Sequence, residues 1–204
     1  MTIHFHKGDL PDGLDFGDRV AVDTETLGLS LVRDSMCLVQ LSAGNGEAHL
    51  VQLNRDTYDC PRLKALLADT RVEKILHFAR FDVAMIERDL GVTLSPVFCT
   101  KIASKLVRTY TDRHGLKDVT REIVGIELSK QQQSSDWGAA ELSEAQLKYA
   151  AEDVLYLHQV RDGLMAMLER EGRLELAKAC FDFLPTRARL DLAGWAEADI
   201  FAHS

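Results

Sequence analysis

Two acidic residues near the amino terminus, Asp23 and Glu25, lie two apart in VAVDTETLGL, which has the short apolar pattern of a β-strand. Residues two apart on a strand point to the same face, so this strand presents two carboxylates together. Asp82 in HFARFDVAMI, and Tyr149 with Asp153 in YAAEDVLYL, add oxygen ligands on two predicted helices. Clustered carboxylates repel one another unless a positive charge lies among them. We therefore expect a fold in which these segments meet around a cation.

Metal-assisted hydrolysis of phosphoesters is the chemistry that such a cluster supports. Hard divalent cations such as Mg²⁺ prefer oxygen ligands and share their coordination with substrate phosphates. If the four acids meet in space, they can hold two cations about 3.5 to 4 Å apart, as in two-metal phosphoryl transfer. Tyr149, one helical turn before Asp153, can orient the attacking water, since a phenol's ordinary pKa near 10 disfavours proton abstraction. Each element alone has a plainer interpretation as a solvated or helix-terminal acid, and only the combination is specific.

The composition indicates one globular domain. The chain has 204 residues, 46% of them hydrophobic, which suffices for a single core over residues 1–204. No run of about 18 apolar residues and no signal-peptide pattern appears, so we expect a cytoplasmic protein without membrane association. The net charge of −8 favours a short substrate, because binding of long nucleic acid depends on many Lys and Arg contacts.

The cysteines and the first histidines favour plain structural roles. Widely spaced cysteines without a CxxC pair indicate reduced thiols over a zinc site or a disulfide framework. His4 and His6 could form a metal pair, but alternating polar residues on a short strand are the commoner explanation. The cysteines are Cys37, Cys60, Cys99 and Cys180.

The hydrophobic pattern predicts strands first and helices later. The strands 19–23, 37–43 and 48–53 form an antiparallel meander, followed by a helix at 61–68, a strand at 73–78 and a helix at 81–90. From residue 99 onward the chain is mainly helical.

Two long helices are predicted near the carboxyl terminus. One runs from 144 to about 170 and begins with a capping box of Ser143 and Gln146, and the other covers 171–183 and ends before Pro185. The tail 185–204 contains Trp195, Ile200 and Phe201 but is too short for a core of its own, so we expect it to serve packing or oligomerisation.

The acidic segments, in this order, resemble the DEDD superfamily of 3′-5′ exonucleases in its tyrosine-bearing DEDDy branch, to which RNase D belongs. The resemblance covers about residues 20–164 and includes KQQQSSDW at 130–137 and LSEAQLKYAAEDVLYL at 142–157. It implies an RNase H-like α/β fold, with a mixed central sheet flanked by helices. It also implies Mg²⁺ or Mn²⁺, two ions per site, and release of nucleoside 5′-monophosphates from a 3′ end.

The short enzymes of the nanoRNase C group are the most similar in this branch, through TYTDRHGLK at 109–117 and DIFAHS at 199–204. This resemblance implies a homo-oligomer, an octameric ring, that cleaves dinucleotides and other very short RNAs, while DNA stays open as a substrate. The alternative is a general RNase D-like exonuclease that trims longer RNA or DNA. A binding module with a degenerate nuclease fold is disfavoured, because every acid and the tyrosine are present.

Further residues are predicted to contact the substrate. Leu29 is either an apolar wedge between the terminal bases or a core leucine, and His77 either contacts the terminal nucleotide or packs at a strand end. Lys101 and Arg108 lie at i and i+7 of one predicted helix and are candidates for binding a 5′ phosphate. Trp137 could stack on a base or pack in the core. The full set is Thr26, Leu29, His77, Phe81, Lys101, Arg108, Gln133, Ser135 and Trp137.

Overall fold

A six-stranded mixed sheet forms the centre of the protein. The structure is a computed structural model that describes residues 1–129, 131–132 and 134–203, so the predicted substrate contact Gln133 lies outside the described residues. The strands are β1 (Thr2–Lys7), β2 (Arg19–Thr26), β3 (Met36–Ser42), β4 (Glu47–Gln52), β5 (Glu73–Leu76) and β6 (Val97–Cys99). Their order in the sheet is β1-β4-β3-β2-β5-β6.

Helices flank this sheet. In the part of the chain that the structure describes they are α1 (Pro61–Ala68), α2 (Ala79–Leu90), α3 (Thr100–Val107), α4 (Leu116–Val124), α5 (Glu144–Leu155), α6 (Leu157–Arg170) and α7 (Leu174–Leu190), followed by one π-helical turn (Asp191–Trp195). Helix α5 packs on one face of β3 and β4 through a small cluster that includes Leu38, Leu50 and Ala150. A larger cluster joins the sheet to α1, α2, α3, α6 and α7.

The predicted α/β architecture, a mixed sheet with flanking helices, is confirmed. Strands β2, β3 and β4 form the predicted antiparallel meander, in which Asp23 of β2 lies opposite Gln40 of β3. Strands β1 and β5 pair in parallel with β4 and β2, and β6 pairs in parallel with β5. Strand β2 continues beyond its predicted end to Thr26, and its register with β3 shifts between Glu25 and Thr26.

The start of α5 was predicted correctly from its local sequence. The Ser143 hydroxyl accepts a hydrogen bond from the Gln146 amide, and the Gln146 side chain accepts one from the Ser143 amide. Because both donors belong to the first turn, a local motif satisfies groups that the helix itself leaves unpaired.

The single helix predicted from 144 to about 170 is wrong. The chain forms two helices with a break at Tyr156, whose φ of −107° and ψ of −2° interrupt the helical path. Helix α5 packs on β3 and β4, whereas α6 packs against α3 and α4, so the chain must change direction between them. Neither glycine nor proline marks this position, and periodicity alone could not reveal it.

The predicted helix end before Pro185 is also wrong. Helix α7 continues through Pro185 to Leu190. Proline removes one amide donor from a helix, but Leu184 and Ala188 are buried and α7 packs on α2, and this packing outweighs the lost hydrogen bond. The helix begins at Leu174 rather than 171, because Gly172 adopts a φ of 65° after α6 ends.

A buried carboxylate attaches the segment after α7 to α2. The Arg80 guanidinium donates to both oxygens of Asp191, at 2.6 and 2.9 Å, and its Nη2 also donates to the Ala196 carbonyl at 2.6 Å. Arg187 approaches the same carboxylate at 2.6 Å. Asp191 is buried, so two guanidinium groups share one desolvated partner.

Two further observations concern the helices and the cysteines. Among the described residues, no helix combines the length and the apolar character that spanning a bilayer requires. The four cysteines carry free thiols, and three of them are buried.

We predict that Asp191→Ala lowers the free energy of unfolding by about 2 to 3 kcal/mol, because two arginines lose their shared buried partner. Urea denaturation followed by circular dichroism measures this change. Asp182→Ala, at an exposed position of the preceding helix α7, is the matched control and should change stability little. Equal effects of the two variants would mean that the ion pairs do not hold this segment.

Candidate active site

Strand β2 and helices α2 and α5 bring the predicted acidic residues to one cleft of about 340 Å³. The predicted catalytic set all line it: Asp23, Glu25, Asp82, Tyr149 and Asp153. Part of the predicted substrate set lines it too: Thr26, Leu29, His77, Phe81 and Lys101. The structure thus brings these side chains together, and their roles stay predictions.

Three carboxylates form the compact part of the cluster. Asp23, Glu25 and Asp153 each offer an oxygen within 4.8 Å of the others. Asp23 and Glu25 share a face of β2, and α5 supplies Asp153 because it packs on that face of the sheet. Gln40, opposite Asp23 on β3, donates from Nε2 to Asp23 Oδ2 at 3.4 Å. Sequence reasoning missed Gln40, although the meander register could have revealed it.

Asp82 approaches the cluster from the first turn of α2. Its Oδ1 accepts a hydrogen bond of 2.6 Å from the Thr24 hydroxyl, and both side chains are buried. Phe78, directly before α2, has a φ of 61°, which turns the chain sharply from β5 into this helix. Sequence reasoning also missed Thr24; its position between Asp23 and Glu25 is the signal that could have found it.

Burial raises the pKa of every carboxylate in the cluster, and repulsion from neighbouring carboxylates adds to this at Asp23, Glu25 and Asp153. Burial, followed by the charges of Asp153 and Asp82, raises the pKa of Glu25 to about 9. Burial raises the pKa of Asp153 and of Asp82 to about 7 each, and that of Asp23 well above its ordinary value. A largely half-buried set of oxygen ligands that repel one another fits a hard divalent cation, which would neutralise the charge that otherwise requires protons.

Tyr149 lies beside Asp153 with its hydroxyl protonated. Burial, and then the charge of Asp153, raises the pKa of this phenol above its usual value. The group therefore serves as a hydrogen-bond donor at neutral pH and not as a base. Trp137 packs behind it, with ring centroids 6.1 Å apart.

Leu29 is an exposed side chain at the cleft, so its interpretation as a core leucine is wrong. Its side chain is 85% exposed, which is unusual for a leucine. Arg88 of α2 holds the loop around it by donating to the Leu31 carbonyl and, at 2.8 Å, to the Asp34 carbonyl. A residue of α2 therefore positions the loop that presents Leu29.

His77 lines the cleft and has one buried ring nitrogen without a hydrogen-bond partner among the described residues. The Thr100 hydroxyl donates to the Leu76 carbonyl at 3.1 Å, so at 2.9 Å it accepts from His77 Nδ1. Burial lowers the pKa of His77 to about 3 and keeps the ring neutral. Its Nε2 is then a buried acceptor without a partner among the described residues.

The shared face predicted for Lys101 and Arg108 is wrong, because α3 ends at Val107 and Arg108 leaves the helical path with a ψ of 57°. Lys101 lines the cleft, and its Nζ lies 4.3 Å from the centre of the Phe78 ring. Arg108 is only 1% exposed and donates to Glu122, to the Ser104 hydroxyl and to the Arg113 carbonyl. Its guanidinium is committed to structure, so Lys101 is the better candidate for a phosphate contact.

Two other predicted contacts lie outside the cleft lining. Trp137 is 3% exposed and packs with Leu38 and Leu50, which supports its core alternative over a stacking platform. The Ser135 hydroxyl donates to Gln132 Oε1 at 2.6 Å. Both residues precede α5, and neither lines the cleft that holds the carboxylates.

Comparisons with known proteins assign the family. A family model described as 3′-5′ exonuclease matches residues 11–169. Ribonuclease D of Acidiphilium cryptum is 35% identical over 76% of this chain and 39% of that protein. The chain spans about two-fifths of the length of such curated relatives.

Solved structures of one bacterial enzyme match the whole chain. Brucella melitensis NrnC bound to pGG is 56% identical, with a TM-score of 0.97 and coverage of 100% of both chains. The same enzyme with bound Mg²⁺ is 54% identical, with a TM-score of 0.95 and the same coverage. These matches confirm the predicted resemblance and the RNase H-like fold. The chain belongs to the 3′-5′ exonuclease family and is a hydrolase of the RNase D and NrnC type.

Proposed function

We propose that this chain is a metal-dependent 3′-5′ exoribonuclease that hydrolyses dinucleotides and other very short RNAs to nucleoside 5′-monophosphates. The observation that carries the proposal is the similarity over the full length of both chains to NrnC, which has been solved with pGG. A cleft of about 340 Å³ lies at the small end of ligand sites and suits a short substrate. The free cysteines suit a reducing, cytoplasmic compartment.

Asp23, Glu25, Asp82 and Asp153 are the proposed ligands of two Mg²⁺ or Mn²⁺ ions. Three of their oxygens lie within 4.8 Å of one another, and NrnC has been solved with bound Mg²⁺. When bound, the ions would lower the pKa of a water molecule and stabilise the negative charge on the phosphate and on the leaving 3′ oxygen. Thr24 and Gln40 hold Asp82 and Asp23 in place, because each donates a hydrogen bond to its carboxylate.

Tyr149 orients the attacking water in this proposal. Its raised pKa keeps the hydroxyl protonated, with its proton in the hydrogen bond to Asp153, so the hydroxyl orients the water and leaves proton acceptance to other groups. Its neighbour Asp153 and the ring of Trp137 limit where that hydroxyl can point.

The opposite part of the cleft receives the 3′-terminal nucleotide. Leu29, held by its loop, enters between the last two bases as an apolar wedge. His77 Nε2 accepts a hydrogen bond from the terminal nucleotide, while Phe81 and Thr26 line its site. Lys101 supplies a positive charge that binds a substrate phosphate. If this is the 5′ phosphate, the contact selects RNAs by their length.

The alternative is a general exonuclease that trims longer RNA or DNA. It is favoured by the 35% identity to ribonuclease D, which extends over 76% of this chain. Both functions use the same carboxylates, so only a comparison of substrate lengths distinguishes them.

Self-association is part of the proposal, as a homo-oligomer with an octameric ring as the expected form. The support is a set of exposed apolar side chains near the carboxyl terminus, a pattern that marks interaction surfaces. These side chains are Leu176, Phe183, Trp195, Ile200 and Phe201.

We predict that cleavage of 5′-labelled RNAs from two to about ten nucleotides, with Mg²⁺, is fastest for the dinucleotide and falls with length, because a small cleft rewards short substrates. Initial rates across the series measure this preference. Rates that rise or stay level with length would favour the general exonuclease instead.

The control for that series is Asp153→Ala, which should lower the rate at least about a hundredfold at every length, because a metal ligand contributes several kcal/mol to the transition state. Glu152→Ala, at the neighbouring position of the same helix, should keep most of the activity. If Asp153→Ala stays active, the proposed catalytic cluster is wrong whatever the length preference.

Tyr149→Phe should lower kcat about a hundredfold and change KM little, because the hydroxyl acts on water and not on substrate binding. Steady-state kinetics on a dinucleotide gives both constants. Tyr156→Phe, in the break after α5, is the matched control. A change confined to KM would assign Tyr149 to substrate binding.

A chain that ends at Glu197 should form smaller species than the full chain, because it loses Ile200 and Phe201 but keeps Asp191 and Ala196 bound to Arg80. Light scattering with size-exclusion chromatography gives the molar mass. The control is Ala202→Asp in the full chain, because it adds a negative charge near the carboxyl terminus without removing any residue. An unchanged mass of the shortened chain would remove the last residues from the assembly.

A further inference from the structure

Four side chains of metal-ligating type lie on one face of the edge pair β1 and β4. His4 and His6 are two apart on β1, and Glu47 and His49 are two apart on β4. The parallel register places His4 beside His49, so all four side chains project from the same face. The sequence suggested only the His4 and His6 pair, because the partner strand is more than forty residues away.

The side chains are close enough to share one ion. His4, Glu47 and His49 each offer a ligand atom within 4.8 Å of the others. His4 Nε2 lies 3.5 Å from Glu47 Oε2, and the His4 and His49 rings lie 4.6 Å apart. Zn²⁺ forms bonds of about 2.0 to 2.2 Å to its nitrogen and oxygen ligands. The ligand atoms must therefore lie somewhat closer to one another than 4.8 Å. The half-exposed His4 and Glu47 side chains can move inward by the needed distance.

The nitrogen atoms of the histidines are available to a cation. His4 Nε2 is buried but makes no hydrogen bond in the part of the chain that the structure describes. His6 Nε2 lies 3.1 Å from His49 Nδ1, and when His49 donates in this hydrogen bond, its Nε2 keeps a free lone pair.

We propose that His4, Glu47 and His49 form a second metal site, which takes a divalent transition metal of the Zn²⁺ class, with His6 orienting His49 as an outer partner. Two imidazoles and one carboxylate are a ligand set for such ions, whereas the all-oxygen cluster of the cleft suits Mg²⁺. Outer hydrogen bonds to a ligating histidine fix its orientation.

This site is separate from the exonuclease cleft. His49 shares its side of the sheet with Leu41 and Val22, whereas Asp23 and Gln40 project from the opposite side. Strand β1 lies at the edge of the sheet, paired with β4 alone. A bound ion would link the edge strand β1 to β4. The expected effect is therefore on the stability of the fold and not on catalysis.

Zn²⁺ binding in a large excess of Mg²⁺ tests the site, because Mg²⁺ occupies oxygen ligands but competes poorly for imidazole. Equilibrium dialysis of the full chain with Zn²⁺ should show one tightly held ion per chain. His4→Gln and Glu47→Gln should each weaken that binding at least about tenfold, since even the loss of an outer partner costs that much. His203→Gln, a histidine in the exposed tail, is the matched control and should bind Zn²⁺ normally.

A second readout separates this site from the cleft. Zn²⁺ should raise the Tm of the wild-type chain in excess Mg²⁺ but not that of His4→Gln, while Mg²⁺-supported nuclease activity stays the same in both. The proposal is overturned if His4→Gln and Glu47→Gln retain wild-type Zn²⁺ binding, if the wild-type chain holds no Zn²⁺ under these conditions, or if only Asp153→Asn abolishes it. In the last case the ion occupies the carboxylate cluster.

Discussion

The close approach of several half-buried carboxylates around β2 is the constraint on which the rest of the site depends. Burial and mutual repulsion raise the pKa of Asp23, Glu25 and Asp153, so the folded chain favours protons or cations at this position. Desolvating a charge without a partner is costly, and the hydrophobic clusters on the sheet must offset that cost. The carboxylates around the central strand therefore lower the stability of the fold, and they form a site that binds positive charge.

Neutral donors, and not basic side chains, hold these carboxylates. Gln40 donates to Asp23 and Thr24 donates to Asp82, and both donors are buried. In the described part of the chain no Lys or Arg forms an ion pair with a carboxylate of the cluster. Arg88 supports the Leu29 loop instead, and Lys101 lies over Phe78 at the cleft. The charge of the cluster is thus left for an external cation to neutralise.

Predictions from residue spacing and short motifs were correct where neighbouring residues determine the local structure. The spacing of Asp23 and Glu25 on β2 and the capping box at Ser143 depend on neighbouring residues only, and both are present as predicted. Predictions failed where distant packing decides. Arg108 is buried because α3 ends one residue before it and Glu122 of α4 takes its guanidinium. The break at Tyr156 depends on different partners of α5 and α6.

By itself the sequence determined the acidic residues and the strand and helices that carry them, because strand and helix periodicity assign each side chain to a face. The order of the acidic segments also resembles that of the 3′-5′ exonuclease family. Only the tertiary structure decided which of the other residues reach the cleft. Leu29 is exposed there, whereas Trp137 is buried behind Tyr149. It alone also brought His49 beside His4, because strand pairing joins segments that no local pattern connects. Side-chain partners across a sheet follow from register, and register is set by the packing of the whole core.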